Sequence, residues 1–196
     1  MSMAELEIDF TTGAVAHRLR FGGGLGQDLP KAVGMKKGLR PHVVDATAGL
    51  GRDGFLLASL GARVTLIERS AHMHGLLAAA LERAAQSEVA EIAARITLLH
   101  GDAKALLPTL APKVILVDPM HPPRGNSALV KQEMRQLREI VGDDPDALAL
   151  IKTALACARN RVVLKWPRRA ALPGGLPAPS HRILGKSTRY DVWMAG

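Results

Sequence analysis

Short apolar runs alternate with helix-spaced segments through most of the chain. Val43-Val44-Asp45 is an apolar run closed by an acid and followed by a glycine-rich turn. Positions 52–60 carry helical spacing and stop at Gly61. Arg63 to Glu68 is a β-branched run that again ends in an acid, and 70–94 reads as a helix with Leu76, Leu77, Ala80, Leu81 and Ala84 on one face. A third strand is predicted over 95–100, a short helix over 103–110 ended by Pro112, and a fourth strand over 113–118. Helices follow over 127–141 and 146–158, then a fifth strand over 161–165 and a proline-rich loop over 167–179. A hairpin of 181–184 with 190–194, turning around Gly185-Lys186-Ser187, completes the pattern. Residues 1–41 are less regular: a turn-rich start, the glycine cluster Phe21 to Gly26, and a short helix within 27–34. They are set apart as an N-terminal segment expected to pack on or near the functional site, with 42–196 as the main domain. Strands alternating with helices imply an α/β fold: a mostly parallel central sheet with helices on both faces and a C-terminal antiparallel hairpin.

Length and composition agree with this. At 196 residues the chain suits one well-cored α/β domain. Aromatic residues make up only 3%, so the core must be built from Leu, Val, Ile and Ala, which suits helices packed on a parallel sheet. The net charge of +8 favours polyanionic partners, although a merely soluble basic protein would show it too. The single cysteine, Cys157, lies in an Ala-rich stretch, forms no intrachain disulfide and reads as a small core residue. A reducing, cytoplasmic location is therefore expected. Neither a basic-then-apolar leader pattern nor an apolar run of about 18 residues occurs in the sequence, so no membrane association is expected.

In an open parallel sheet, ligands bind at the carboxyl ends of the strands, which directs attention to the strand-ending acids. Asp45-Ala46-Thr47-Ala48-Gly49-Leu50-Gly51-Arg52-Asp53 offers glycines for a tight turn and a helix start with unpaired N–H groups. It carries only the G-x-G of the dinucleotide loop G-x-G-x-x-G, and Asp45 before it suits a ligand with a cationic amine better than a pyrophosphate. Glycine-rich turns of this kind also serve as plain packing devices. Glu68 is placed to accept hydrogen bonds from both ribose hydroxyls of an adenosine, or is a solvent-facing acid; Arg69 is a lid over that adenosine or a surface charge. Asp102, with Ala103, could meet an adenine amino group or cap the helix that follows. Asp118-Pro119-Met120-His121-Pro122-Pro123 forms a constrained loop where a transferable methyl would meet its acceptor, or a simple structural turn. An in-line displacement at a sulfonium needs positioning above all, and a carboxylate can orient an exocyclic amine for it. Four successive strands ending in or beside an acid weigh more than any one of them.

These residues resemble class I S-adenosylmethionine methyltransferases, and more narrowly the ribosomal RNA small subunit methyltransferase J family. The resemblance rests on Asp9-Phe10, Ala16-His17-Arg18, Phe21 to Gly24, Lys31 to Gly34, Val44 to Asp53, Leu57 to Gly61, Glu68-Arg69 and Asp118-Pro119-Met120. Ser127 to Arg135, Val162 to Lys165 and the final hairpin extend it over almost the whole chain. It implies a Rossmann-like fold, S-adenosyl-L-methionine as cofactor, and methyl transfer to the exocyclic N2 of a guanine in 16S ribosomal RNA, free or in the small subunit. It also implies cofactor contacts at Arg52, Asp53, Glu68, Arg69, Asp102, Ala103 and Asp118, joining Asp45, Gly49 and Gly51 from the loop itself. The candidate catalytic loop is Asp118, Pro119, Met120 and His121. His121 stands where the family usually has Phe, and Pro123 where many members have His.

Two alternatives stay in view: a methyltransferase acting on DNA, protein or a small molecule, and a non-catalytic RNA-binding protein on the same fold. The cofactor loop with its acids favours an enzyme. The basic residues Lys31, Lys36, Lys37, Arg40 and Arg52, then Arg124, Lys131, Arg135 and Arg138, then Lys165, Arg168, Arg169 and Arg182 are expected to border the catalytic mouth and hold phosphates. A solvated, acid-paired helix face is the competing account of 131–138.

Overall fold

A computed structural model of the chain describes residues 6–12, 23–119 and 146–195. After a single 3-10 turn at Gly24–Gly26, the elements in order are α1 (Asp28–Ala32), β1 (Val43–Asp45), α2 (Arg52–Ser59), β2 (Val64–Glu68), α3 (Ala71–Ala85) and α4 (Ala90–Ala93). Then come β3 (Ile96–His100), α5 (Ala103–Leu110), β4 (Val114–Val117), α6 (Ala147–Cys157), β5 (Arg161–Pro167), β6 (His181–Leu184) and β7 (Thr188–Met194). The predicted helix over 127–141 and the loop residues Met120 and His121 lie outside the described residues.

The strands form one seven-stranded sheet in the order β3-β2-β1-β4-β5-β7-β6. β1 to β5 pair in parallel, with Val43 opposite both Val64 and Val114. β7 runs antiparallel to β5 on one side and to β6 on the other, which is the expected hairpin with its later strand inserted inward. The chain leaves β1 toward β2 on one side and reaches β4 on the other, so the order reverses between β1 and β4. That crevice at the carboxyl ends is where a Rossmann-like sheet holds its ligand.

Successive strand residues enter opposite cores, as the pleat requires. Val43, Leu66, Leu116 and Val163 pack with Phe55 and Leu57 of α2 and with Met73, Leu77 and Ala80 of α3. Val44, Ile67, Ile115 and Val162 pack on the other face with Leu107 of α5 and Ile151 and Ala154 of α6. Leu6, Ile8 and Phe10 belong to the first core, and the Phe10 ring stacks on Phe55 with centroids 4.3 Å apart.

The predicted helix over 70–94 is two helices. Ser87 Oγ donates to the Ala84 carbonyl and accepts from the Val89 amide, a local alternative to the helical ladder that ends α3. The hairpin's second strand begins at Thr188 rather than 190, because Trp166 and Pro167 extend β5 and pair with Arg189 and Thr188.

Candidate active site

The loop after β1 is organised by its own first residue. Asp45 is 3% exposed; its Oδ1 accepts from the Thr47 amide at 3.0 Å and the Thr47 hydroxyl at 3.3 Å. This is the turn an Asp makes with the backbone two residues on. Thr47 Oγ1 in turn accepts from the Asp118 amide at 2.7 Å, so the loops after β1 and β4 are fastened together across the switch point. Gly51 turns the chain into α2 with φ 69°. A Cβ there would stand 2.8 Å from Leu77 and 3.0 Å from Phe10. Gly51→Ala is therefore expected to cost about 2 kcal/mol or more from left-handed backbone strain and overpacking; an unchanged urea midpoint would contradict this. Gly49 differs: φ is 53°, yet among the described residues nothing but the Thr47 carbonyl lies within 4 Å of its Cβ position. That open flank lets a ligand lie against the backbone.

Glu68 is 4% exposed, with Oε2 accepting from the Gly49 amide at 3.0 Å and Oε1 from the Ser70 amide at 2.8 Å. It is therefore first a tie between the glycine loop and the start of α3, not a solvent-facing acid. Each oxygen keeps a lone pair, the capacity two ribose hydroxyls need. Asp102 caps α5, accepting from the Lys104 amide at 2.8 Å, while its side chain stays half exposed. The capping role is present and occupies Oδ1, with Oδ2 3.4 Å from the Lys104 ammonium. The Ala103 side chain is buried in the second core, so only its backbone faces this edge. Arg69 reaches Asp146 at 3.1 Å, and Lys104 also pairs with Asp146, tying the ends of β2 and β3 to the start of α6. Arg52 is exposed at the first residue of α2.

Lys165, near the end of β5, lies between two carboxylates: its Nζ is 2.7 Å from Asp53 Oδ2 and 2.7 Å from Asp118 Oδ2. Burial disfavours its ammonium, but Asp118 and Asp53 outweigh this and hold it charged well above the ordinary lysine range. Lys165 is thus part of the site's interior and not a phosphate-binding surface lysine. Asp53 engages Lys165 in this arrangement. Among the described residues no cation is in such contact with Asp45. Burial, with Asp53 and Asp118 nearby, pushes it up to about 7 despite the Thr47 hydrogen bond and the field of Lys165.

For a raised carboxylate the native state binds more protons than the unfolded chain between the ordinary value of 3.8 and about 7, so stability falls as pH rises through that window. Asp45→Asn is expected to be more stable than the parent above pH 7, by a few kcal/mol at most, at about 1.4 kcal/mol for each tenfold change in proton affinity. It should also bind a cationic ligand less tightly. Parent affinity for such a ligand should rise with pH through about 7, as titration calorimetry would read. Flat affinity from pH 6 to 8 would remove Asp45 from the binding site.

The other basic residues divide. Arg168 and Arg169 stay exposed just past the end of β5, at the expected edge. Arg182 pairs with buried Asp191 at 2.6 Å. Arg40 donates to the Leu60 and Lys36 carbonyls, which places 36–40 at the opposite, amino edge of the sheet. Residues 124, 131, 135 and 138 lie outside the described residues. Thr47 is the site residue that sequence reasoning did not single out, and Lys165 is one that it placed near the mouth but as a phosphate contact, not as a partner of Asp53 and Asp118. The Asp-x-Thr spacing could have marked Thr47, but the partners of Lys165 are distant in sequence.

The family described as "Putative SAM-dependent methyltransferase" matches residues 1–195. The Rossmann-like sheet and its acid-lined edge are accordingly those of a methyltransferase that uses S-adenosylmethionine. The chain is 65% identical to a ribosomal RNA small subunit methyltransferase J of Brucella anthropi over 97% of its length and 94% of the relative's. It is 61% identical to that of Agrobacterium fabrum over 95% and 91%. The crystal structure of a SAM-dependent methyltransferase from Neisseria gonorrhoeae superposes with a TM-score of 0.77 at 37% identity, covering 98% of this chain and 76% of the other. The chain belongs to the ribosomal RNA small subunit methyltransferase J family.

Proposed function

We propose that the protein methylates the exocyclic N2 of a guanine in small-subunit ribosomal RNA, with Asp118 as the residue that receives the acceptor amine. The observation that carries this reading is the position of Asp118 at the switch point, held on two sides: its amide by Thr47 and its Oδ2 by Lys165. Pro119, buried just after it, limits the backbone further. The donor set fits S-adenosylmethionine: a glycine flank open to a ligand, buried acids suited to its cationic groups, and Glu68 with spare acceptor capacity for a ribose. When bound there, that cofactor supplies an electrophilic methyl group on a sulfonium.

The guanine amine is a weak nucleophile, because its lone pair is delocalised into the ring. A fixed carboxylate accepting one of its N–H bonds turns that lone pair toward the methyl and stands beside the proton the nitrogen must lose. Among the described residues, Lys165 is the cation set among Asp45, Asp53 and Asp118, and this cluster of carboxylates suits a positively charged cofactor. Burial of Asp45 and Glu68 keeps that complementarity in a low-dielectric setting, where it is worth more than in water.

Thermal unfolding should rise with S-adenosylmethionine and with its demethylated product but not with NAD; at a hundred-fold excess over Kd the stabilisation is about 2.7 kcal/mol. The protein should also label small subunits from cells lacking this activity, with N2-methylguanine in the digested RNA. Labelling of DNA or protein instead, or no labelling despite cofactor binding, would replace the reading with another acceptor or a non-catalytic role.

A further inference from the structure

The carboxyl edge gathers Asp45, Asp53, Glu68, Asp102, Asp118 and Asp146. Among the described residues, this edge mixes acids with cations, Arg69, Lys104 and Lys165 being paired to those acids and Arg168 and Arg169 exposed beside them, whereas the amino edge is mainly cationic. The register aligns the cations of the amino edge. Val64 pairs with Ile96, and Val43 pairs with both Val64 and Val114, so the residues just before these strands form one row: Arg95, Arg63, His42 and Lys113. Backbone hydrogen bonds link the row. Val64 N donates to Arg95 O at 2.9 Å, Val43 N to Arg63 O at 3.0 Å, and Arg159 N to the carbonyl of Pro112, beside Lys113, at 2.9 Å. Arg159 thereby extends the row, and Arg40 flanks it. Arg63, Lys113 and Arg159 are exposed, and the Arg95 side chain is 36% exposed with Glu91 at 3.8 Å. His42 bonds to Thr65; burial and then the charge of Arg63 hold its imidazole below the ordinary range, which keeps it uncharged within the row.

We infer that this amino-edge row of Arg95, Arg63, Lys113 and Arg159 is a second RNA-binding surface, which holds the phosphate backbone of the substrate at the end of the sheet opposite the site of methyl transfer. The inference rests on the ribosomal RNA reading and extends it to the size of the substrate. From Arg95 to Arg159 the row crosses β3, β2, β1, β4 and β5, roughly 19 Å at about 4.8 Å per strand, enough for several successive phosphates. The strands between the two edges run only about 16 Å. Folded RNA that passes around the protein can occupy both, whereas a short hairpin in the mouth cannot. The charges have no counterpart in the cofactor chemistry, which needs acids. Arginine and lysine on the short turns before parallel strands need no backbone ordering to bind a phosphate, so only their side-chain rotamers have to be fixed.

The test is the quadruple variant R63Q/R95Q/K113Q/R159Q of the whole chain, with K113E/R159E as a second variant at two of the exposed positions. Both should show the parent's thermal shift with S-adenosylhomocysteine, since the carboxyl edge is untouched. Binding to a long RNA duplex, followed by anisotropy against salt, should lose about three from the slope of log K on log salt in the quadruple variant, at 0.7–0.9 per phosphate contact. With small subunits as substrate, KM should rise at least about ten-fold while kcat holds, as expected for lost phosphate contacts. A short RNA hairpin carrying the target guanine should be methylated at the parent's rate. An unchanged salt slope and unchanged KM for subunits would overturn the inference. A reduced slope in a protein whose parent methylates no ribosomal RNA would uphold the polyanion surface and reject the reading on which its substrate rests.

Discussion

Asp118→Ala is expected to lower kcat for methyl transfer to small subunits by about a thousand-fold, close to 4 kcal/mol at 1.36 kcal/mol per factor of ten. Affinity for S-adenosylhomocysteine should change by no more than a few-fold, because Asp45, Glu68 and the Gly49 flank remain. The expectation follows from how completely Asp118 is held. Thr47 fixes its amide and Lys165 its Oδ2, and each link joins a different strand end to β4. A side chain restrained in this way has been positioned before the substrate arrives, so its loss removes that orientation. Asp118→Asn, which keeps an acceptor oxygen, should retain more activity than Ala. Full activity in the Ala variant would place the reacting amine elsewhere.

Lys165→Met is expected to act on stability and on pH dependence together. Removing the ammonium takes away the cation that lies between Asp53 and Asp118, beside buried Asp45. Breaking a partly buried pair in this way costs about 3–5 kcal/mol, or roughly 10 °C in Tm for a chain of this size. The lysine's folded value lies above its unfolded value of 10.5, so its contribution is fully present below pH 10.5 and is lost only at higher pH. The field of Lys165 lowers Asp45, so without it Asp45 should move further above about 7, and the acid limb of the kcat/KM profile should move up in pH. Lys165→Arg should restore the limb and part of the stability. A Met variant with parental Tm and an unmoved acid limb would leave Lys165 no positioning role.

Much of the fold was readable because a buried parallel strand writes itself as a short apolar run with a polar stop. Val43-Val44-Asp45 and Val64 to Glu68 do this directly, and the acids at their ends fall on the ligand-binding edge by strand direction alone. Ser87 was harder: its hydroxyl ends α3 inside a stretch whose apolar spacing continues toward Ile92. Lys165 was misread because a charged residue at the end of a strand reads as surface, and the two carboxylates that enclose it come from the first turn of α2 and the end of β4. The basic residues before strands were misplaced for a simpler reason. Nearness to a motif in sequence says little when each parallel strand separates its two ends by its own length.

Asp191 lies on β7, the strand set between β5 and β6, and its carboxylate takes Arg182 from β6 and Arg189 from its own strand; Arg189 also donates to the carbonyls of Pro167, Arg168 and Ala170. The turn at 185–187 makes β6–β7 a local hairpin, whereas the β5–β7 seam closes over a longer stretch of chain. Contact order then predicts an order of assembly: the hairpin should form early and dock as one unit, with Arg189 closing on the segment after β5 once it has docked. In pulse-labelled hydrogen exchange, β7 amides bonded to β6 should gain protection before those bonded to β5.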